Sequence, residues 1–185
     1  YWQRKQELWK DLSNALPNKG HLFFKHLYDE GKLVGLITQN IDGLHEKSGL
    51  PKGIIVNLHG TNLEVACLDC GFTVPSEDVF DRLDLEQGIP LCPECDGFFK
   101  PNTISFGQQL RGEDLRRAND LSVSCDLMIV VGSTLVVQPA SSIPSIAKEK
   151  GALLAIVTLS ETPLDSYADF VFHLKVEDFI NLFQS

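Results

Sequence analysis

Four of the five cysteines form two Cys-x-x-Cys pairs, Cys67 with Cys70 and Cys92 with Cys95. Such pairs, separated by about 20 residues, are typical of zinc ribbons, in which four thiolates bind one tetrahedral Zn²⁺ ion. Because sulfur would fill all four coordination positions, none would remain open to a substrate. The spacing therefore predicts one structural Zn²⁺ ion, and four unliganded thiols are the alternative.

Three short polar clusters follow predicted strands and carry side chains suited to acid–base and binding chemistry. They are Thr38–Asp42, His59–Thr61 and Gly132–Thr134. In open parallel sheets, ligands bind beyond the carboxyl ends of the strands, near the point where the strand order reverses. We therefore expect the three clusters to converge on one cleft.

His59 is the best candidate for proton transfer, because an imidazole titrates near neutral pH and Gly60 permits close approach of a ligand or of the backbone. A single histidine after a strand is usually structural, so this interpretation depends on the neighbouring clusters. The other histidines lack such neighbours and are predicted to have surface, capping or packing roles: His21, His26, His45 and His173.

Two of the clusters also have purely structural interpretations. Asn40 and Asp42 can cap a helix that begins near Asp42. The segment Gly132–Thr134 can be only a turn between a strand and a helix, although free amides and hydroxyls at such a turn also suit a phosphate group. Both interpretations stay open at the level of sequence.

The hydrophobic pattern alternates strands with helices. Predicted strands cover residues 33–37, 54–58, 127–131, 152–157 and 170–174, and predicted helices cover residues 20–30, 113–122, 141–150 and 176–183. This alternation indicates an α/β fold with a Rossmann-like, doubly wound, mostly parallel sheet. Residues 66–99 lack the alternation, so we interpret them as a zinc module inserted into a larger domain of residues 1–65 and 100–185.

Composition excludes several functional classes. The 185 residues carry a net charge of −9 and no basic stretch, which argues against nucleic-acid binding and favours a basic peptide as partner. No apolar run reaches the roughly 18 residues of a membrane span, and no signal sequence is evident. Paired cysteines suit metal binding in a reducing compartment, so we expect a cytoplasmic protein in which Cys125 is a buried core residue. No oligomeric state is predicted.

Taken together, the motifs resemble those of the sirtuins, which are NAD-dependent protein deacylases. The resemblance is carried by Thr38-Gln39-Asn40-Ile41-Asp42, the two cysteine pairs and Gly132-Ser133-Thr134-Leu135-Val136-Val137-Gln138-Pro139-Ala140, and it extends over nearly the whole chain. It implies a protein-lysine deacetylase of the transferase class that uses NAD and one structural Zn²⁺. Its partners would be acyl-lysine proteins or peptides, and its products nicotinamide, O-acyl-ADP-ribose and free lysine.

The resemblance also implies roles for single residues. His59 would be the general base that activates a ribose hydroxyl of NAD. The remaining expectations concern binding: Gln39, Asn40, Ile41 and Asp42 for the ribose and nicotinamide, Gly132, Ser133 and Thr134 for the phosphates and adenosine ribose, and Ile104, Phe106, Gly107 and Val137 for the acyl-peptide groove.

The sequence departs from the sirtuin pattern in four places. Ser133-Thr134 inverts the usual order of the two hydroxyl residues, Thr158 stands where an asparagine is usual near the adenosine ribose, and Gln108 replaces a frequent glutamate. No Gly-Ala-Gly-x-Ser or Pro-Asp-Phe-Arg segment occurs, and in the family these clamp the NAD pyrophosphate and nicotinamide. We therefore expect the chain as given to bind NAD weakly and to show little activity.

Two other functions compete with deacylation. ADP-ribosyl transfer to a protein side chain uses the same cofactor, but His59 favours deacylation, in which a base is needed. The other alternative is a catalytically inactive, zinc-stabilised module that only binds acyl-lysine peptides.

Overall fold

The computed structural model describes residues 1–183, so residues 184 and 185 of the predicted larger domain lie outside it. Its α-helices are α1 (Trp2–Asn14), α2 (Lys19–Asp29), α3 (Leu44–Lys47), α4 (Ser76–Phe80), α5 (Gly112–Ser124), α6 (Ile143–Glu149) and α7 (Val176–Asn181). Its strands are β1 (Leu36–Thr38), β2 (Ile55–Asn57), β3 (Gly60–Cys67), β4 (Thr73–Pro75), β5 (Phe99–Thr103), β6 (Leu127–Val131), β7 (Leu153–Val157) and β8 (Phe170–Phe172).

The parallel strands form two sheets. Strands β1 and β2 pair with each other, and β6, β7 and β8 form a three-stranded sheet in that order. Strand β7 is central in the second sheet and is almost fully buried, which explains its run of apolar residues. Helix α5 precedes β6, and α6 lies between β6 and β7, so strands and helices alternate here as the sequence predicts. The α/β prediction with parallel sheets is confirmed.

Two apolar clusters hold the three-stranded parallel sheet. Leu154 and Ile156 are fully buried with Val130 and Leu135. Residues Val157, Phe179 and Ile180 form the second cluster, so α7 packs against the strands. The end of β6, which carries the cluster Gly132–Thr134, therefore rests on closely packed apolar residues.

A third sheet is antiparallel, and the sequence pattern did not predict it. Its order is β4-β3-β5, and it supports the cysteine pairs. Its core joins Trp2 of α1 to Phe80 of α4 and Phe99 of β5. The strands are hard to recognise in the sequence because β3 is rich in polar residues and β5 contains Pro101. The domain division at residues 66–99 remains a prediction, and this sheet extends from residue 60 to residue 103.

Several elements are shorter than predicted. Strand β1 begins at Leu36, because the backbone N–H of Leu33 is used in the turn that ends α2, where it donates to the carbonyl of Leu27 over 3.1 Å. The predicted helix 141–150 begins as a 3₁₀ turn and becomes α-helical only at Ile143. Among residues 1–183, no helix is long and apolar enough to cross a lipid bilayer.

Candidate active site and metal centre

His59 lies directly after β2, at the carboxyl end of the small parallel sheet. Its ring atom Nδ1 is 2.9 Å from the backbone carbonyl oxygen of Gln39, which follows β1. Because a carbonyl oxygen can only accept a hydrogen bond, this contact places the proton on Nδ1 and the lone pair on Nε2. The half-buried imidazole therefore presents Nε2 as a base.

The backbone on either side of His59 is tightly fixed. Gly60 has φ +73°, and a Cβ atom at this position would lie 2.1 Å from the carbonyl oxygen of Asn102. Only glycine fits so close an approach of β3 to β5. On the other side, the N–H of Ile104 donates to the carbonyl of His59 over 2.8 Å. The start of the predicted peptide groove is therefore bonded to the backbone of His59.

Gln39 also connects two of the polar clusters. While its backbone oxygen accepts from His59, its side-chain Nε2 donates to Oγ of Ser133 over 3.4 Å. Gln39 follows β1 and Ser133 follows β6, and these strands are in different parallel sheets. The bond therefore joins the carboxyl ends of the two sheets. The predicted convergence of the three clusters is confirmed.

The loop Asn40–Asp42 is held by short-range bonds. Oδ1 of Asp42 accepts from the N–H of Leu44 over 2.9 Å, which closes a turn just before α3. The N-cap of α3 is Gly43 and no side chain caps it, so the predicted capping by Asn40 and Asp42 is wrong. The carbonyl of Ile41 accepts from the N–H of Asn62 over 2.9 Å. The sequence does not predict this hydrogen bond between the loop and β3, because a backbone hydrogen bond depends little on residue type.

The segment after β6 makes a tight turn. Gly132 has φ +64° and donates to the carbonyl of Val157 over 2.9 Å. Leu135 has φ +54°, which is unusual for a bulky residue, and its side chain is buried. Oγ of Ser133 accepts from the N–H of Leu135 over 3.2 Å, while Thr134 is exposed. Thr158 is buried at the carboxyl end of β7.

Two further histidines pack beneath the loop that ends at Asp42. The rings of His21 and His45 lie 4.7 Å apart, centroid to centroid. His21 also caps α2 through a reciprocal pair of bonds with Asn18, so the predicted capping role is confirmed. Burial, and secondarily the nearby His21, lower the pKa of His45 to about 4, although the Asp42 carboxylate opposes the shift. Both imidazoles are therefore neutral at neutral pH.

The loop after β5 contains three of the predicted groove residues. Phe106 is fully exposed and Gly107 has φ +83°. Oε1 of Gln108 accepts from the N–H of Ser105 over 2.7 Å, which fixes the loop. Val137, the fourth predicted groove residue, is half exposed, and no hydrogen bond in residues 1–183 is recorded between it and this loop.

The four paired cysteines come together as predicted. All four sulfur atoms lie within 4.8 Å of one another, and the pairs Cys67–Cys95 and Cys70–Cys92 are each separated by 3.6 Å. A tetrahedral site with Zn–S distances of about 2.3 Å requires sulfur atoms about 3.8 Å apart. The arrangement therefore fits a structural zinc ion. Cys125, which was expected to be buried, is half-buried and lies outside this cluster.

The thiols of this centre differ in acidity. The backbone N–H of Cys70 is the main cause that lowers the pKa of Cys67 to about 7. At Cys95, the backbone N–H of Gly97 lowers the pKa, but the neighbouring thiols outweigh it and raise the pKa to about 12. Thiolates this close repel one another, so a dication is needed before all four ionise.

The chain is similar to known proteins over most of its length. The Sir2 family matches residues 1–139. The chain belongs to the Sir2 family. NAD-dependent protein deacetylase 1 of Bradyrhizobium diazoefficiens is 41% identical to this sirtuin over 170 residues, which cover 92% of this chain and 66% of that protein. The resemblance inferred from the motifs is confirmed.

Solved structures show the same fold. Sir2Tm bound to a propionylated peptide has a TM-score of 0.85 and 37% identity to this sirtuin, with 96% of this chain and 75% of that chain covered. A Sir2 complex with a p53 peptide and NAD+ has a TM-score of 0.83 and 35% identity, with coverage of 98% and 77%. This sirtuin spans about two thirds of the length of the curated relatives it matches.

Proposed function

We propose that this sirtuin carries much of the active site of an NAD-dependent protein-lysine deacylase. The observation that supports this most directly is the hydrogen bond from His59 Nδ1 to the carbonyl oxygen of Gln39, because it leaves Nε2 free to accept a proton. The side chain of the same glutamine reaches Ser133. One residue thus joins the predicted base to the predicted phosphate-binding turn.

The donor set around His59 fits a dinucleotide. The turn at Gly132 has open space where a Cβ would be, and Ser133 and Thr134 offer hydroxyl groups next to it. We assign this turn, with Thr158, to the phosphates and adenosine ribose. The loop of Gln39, Asn40, Ile41 and Asp42 is assigned to the other ribose and the nicotinamide.

The chemistry divides between cofactor and protein. NAD, when bound, supplies a ribose carbon with nicotinamide as its leaving group. His59 Nε2 takes a proton from a ribose hydroxyl. The other ring proton stays on Nδ1, which donates it in a hydrogen bond to the carbonyl oxygen of Gln39, and this bond keeps the ring oriented. The backbone bond from Ile104 to His59 keeps the substrate loop at a fixed distance from this base.

The loop 104–108 and Val137 are assigned to the acyl-lysine substrate. An extended peptide added as a strand would use backbone hydrogen bonds for affinity and its side chains for specificity. The structures of relatives with propionylated and acetylated peptides support acyl-lysine as the reacting group. We place Ile104, Phe106 and Gly107 on one side of the peptide and Val137 on the other.

We further propose that this sirtuin works in the cytoplasm. The five cysteines are all free thiols, and four of them belong to one metal centre, an arrangement that suits a reducing compartment.

The test is a product assay on the protein expressed from its complete reading frame. With NAD and an acetyl-lysine peptide, mass spectrometry should detect free lysine peptide and acetyl-ADP-ribose in equal amounts, and nicotinamide should be released in step. Radiolabel transferred from NAD to protein, without peptide deacylation, would instead establish ADP-ribosyl transfer. Acetyl-dependent peptide binding without any turnover would establish the inactive binding module.

A further inference from the structure

Two cationic side chains, Lys100 and Arg111, lie beside β5 and the loop 104–108 that follows it. Lys100 donates from Nζ to the carbonyl of Thr103 over 2.6 Å and to Oε1 of Gln108 over 3.3 Å. Arg111 donates to the backbone and side-chain oxygens of Asn102. Every one of these acceptors is neutral. Lys100 therefore ties the loop to the end of β5, Arg111 bonds to β5 itself, and neither cation is paired with a carboxylate in these bonds.

Lys5 of α1 completes the group, which we call the cationic rim (Lys5, Lys100 and Arg111). Its Nζ lies over the ring of Tyr1, 5.7 Å from the ring centroid, and has no carboxylate partner among residues 1–183. Burial lowers the pKa of Lys100, and repulsion by Lys5 and then Arg111 lowers it further. Lys5 and Arg111 are thus each close enough to Lys100 to repel its charge.

The cationic rim is unusual in this chain, because acidic residues outnumber basic ones by 25 to 16. Yet within residues 1–183, none of its three members has a carboxylate oxygen within 4.0 Å. Three acids, Glu46, Glu64 and Asp114, line a small cavity together with Arg111, and the loop 104–108 does not border that cavity. Glu64 is shared there with Asn102 and Lys52.

We propose that the cationic rim selects acyl-lysine peptides that carry acidic side chains close to the acyl-lysine. This inference rests on the proposed function, because it takes the loop 104–108 as one wall of the substrate groove. Backbone pairing of an added strand gives affinity that depends little on sequence. Flanking carboxylates would meet the unpaired charges of Lys5 and Arg111 and the remaining N–H of Lys100, so they give specificity.

The net charge of the molecule predicts the opposite peptide preference. A charge of −9 favours a basic peptide at long range. Within a Debye length of about 8 Å at physiological salt, however, nearby charges dominate. The local surface at the groove is positive although the molecule is negative.

The test is equilibrium binding of three fluorescein-labelled acetyl-lysine peptides, which needs no NAD. The peptides share one sequence, except that the second residue on either side of the acetyl-lysine is glutamate, glutamine or lysine. An unacetylated version of each is the control for acetyl-dependent binding. We expect the glutamate peptide to bind about fivefold more tightly than the glutamine peptide at 50 mM salt, and about twofold more tightly at 500 mM.

Variants test whether the rim is the cause. Lys5→Gln with Arg111→Gln should bring the ratio of glutamate to glutamine affinities close to one. Lys10→Gln removes a charge from the same helix as Lys5, outside the rim, and should leave the ratio unchanged. Lys100 is not altered, because its bonds fix the loop itself. If the double variant unfolds, Lys5→Gln alone should still reduce the ratio by about half.

The results of the binding experiment distinguish a wrong role for the cationic rim from a wrong assignment of the substrate groove. If the glutamine peptide binds in an acetyl-dependent way but the lysine peptide binds equally well or better than the glutamate peptide, the rim has no selective role and the groove assignment survives. If none of the peptides binds in an acetyl-dependent way, the groove assignment and the inference both fail.

Discussion

The metal centre and the cofactor cleft are built in different ways. All four ligands of the metal centre lie within one stretch of chain, since Cys67 and Cys95 are 28 residues apart. The cleft combines three segments, and the bond from Gln39 to Ser133 spans 94 residues. The metal centre can therefore form from local contacts and ligand bonds, whereas the cleft exists only after both parallel sheets have packed.

This difference affects what each region tolerates. Loss of one ligand removes much of the free energy that holds the antiparallel sheet, because metal binding there is coupled to folding. Loss of one polar group in the cleft removes one modest hydrogen bond from a scaffold held by apolar clusters. Substitutions should thus change stability at the metal centre and activity at the cleft.

The largest effect is expected from removing the metal. Chelation should remove on the order of 10 kcal/mol of coupled binding and folding free energy and unfold β3, β4 and β5. Cys70→Ser should act in the same direction and lower the melting temperature, measured by circular dichroism. The matched control is Cys125→Ser, which lies outside the cluster and should keep its metal content. A chelated chain with an unchanged melting curve would contradict a structural role.

His59→Ala should have the next largest effect, and on activity alone. Loss of a general base typically costs about 10²–10⁴-fold in rate, so we expect a fall of this size in kcat for nicotinamide release with acetyl-lysine peptide. The melting temperature should change by less than that of Cys70→Ser. His26→Ala, an exposed histidine on α2, is the control. Turnover retained by His59→Ala would refute the assignment.

The third prediction concerns acid stability. Because burial holds the pKa of His45 at about 4 in the folded state, against an ordinary value of 6.5, the unfolded chain binds a proton there first as the pH falls. Stability from this group is thus present above pH 6.5 and lost between about pH 6.5 and 4. The full shift would correspond to about 3.4 kcal/mol, which partial solvent access at His45 reduces to about 2 kcal/mol.

His45→Phe keeps an aromatic ring against His21 but removes the titrating nitrogens. Urea unfolding should show that the free energy of unfolding falls by about 2 kcal/mol less in this variant than in the parent between pH 7 and pH 4. The thiols of the metal centre are the same in both proteins, so their contribution cancels in the difference. His26→Phe should behave like the parent. Equal acid losses in His45→Phe and the parent would show that His45 is not neutral in the folded state.

The smallest effect is expected for the bond between the two parallel sheets. Gln39→Met and Ser133→Ala should show a coupling free energy of about 0.5 kcal/mol in a double-mutant cycle of NAD binding, because the bond is long at 3.4 Å. Gln39→Met paired with Ser142→Ala, whose hydroxyl bonds within its own turn, should be additive. A coupling near zero in the first cycle would mean that the bond does not organise the cleft.

The two regions also differ in how far sequence predicted them. Residue type and spacing were enough for the four cysteines, because few other arrangements place thiols in this pattern. Alternation of strands and helices was enough to place His59 and Ser133 at the carboxyl ends of parallel strands. The antiparallel sheet was missed, since Pro101 and the polar residues of β3 hide the strand pattern. The carbonyl of Gln39 that orients His59 could not be foreseen, because backbone oxygens occur at every residue.

Both tryptophans of the chain lie in one place, and this gives the molecule a built-in optical reporter. Trp9 stacks on Phe80 at 5.3 Å, and Trp2 lies 5.7 Å from the same ring, within the core that includes Cys67 and Cys92. His59 is not part of that core, and it is 50 residues from Trp9 in the sequence. Intrinsic tryptophan emission therefore reports on the core between α1 and the antiparallel sheet. A change in emission on adding metal would follow the assembly of this core in real time without a label.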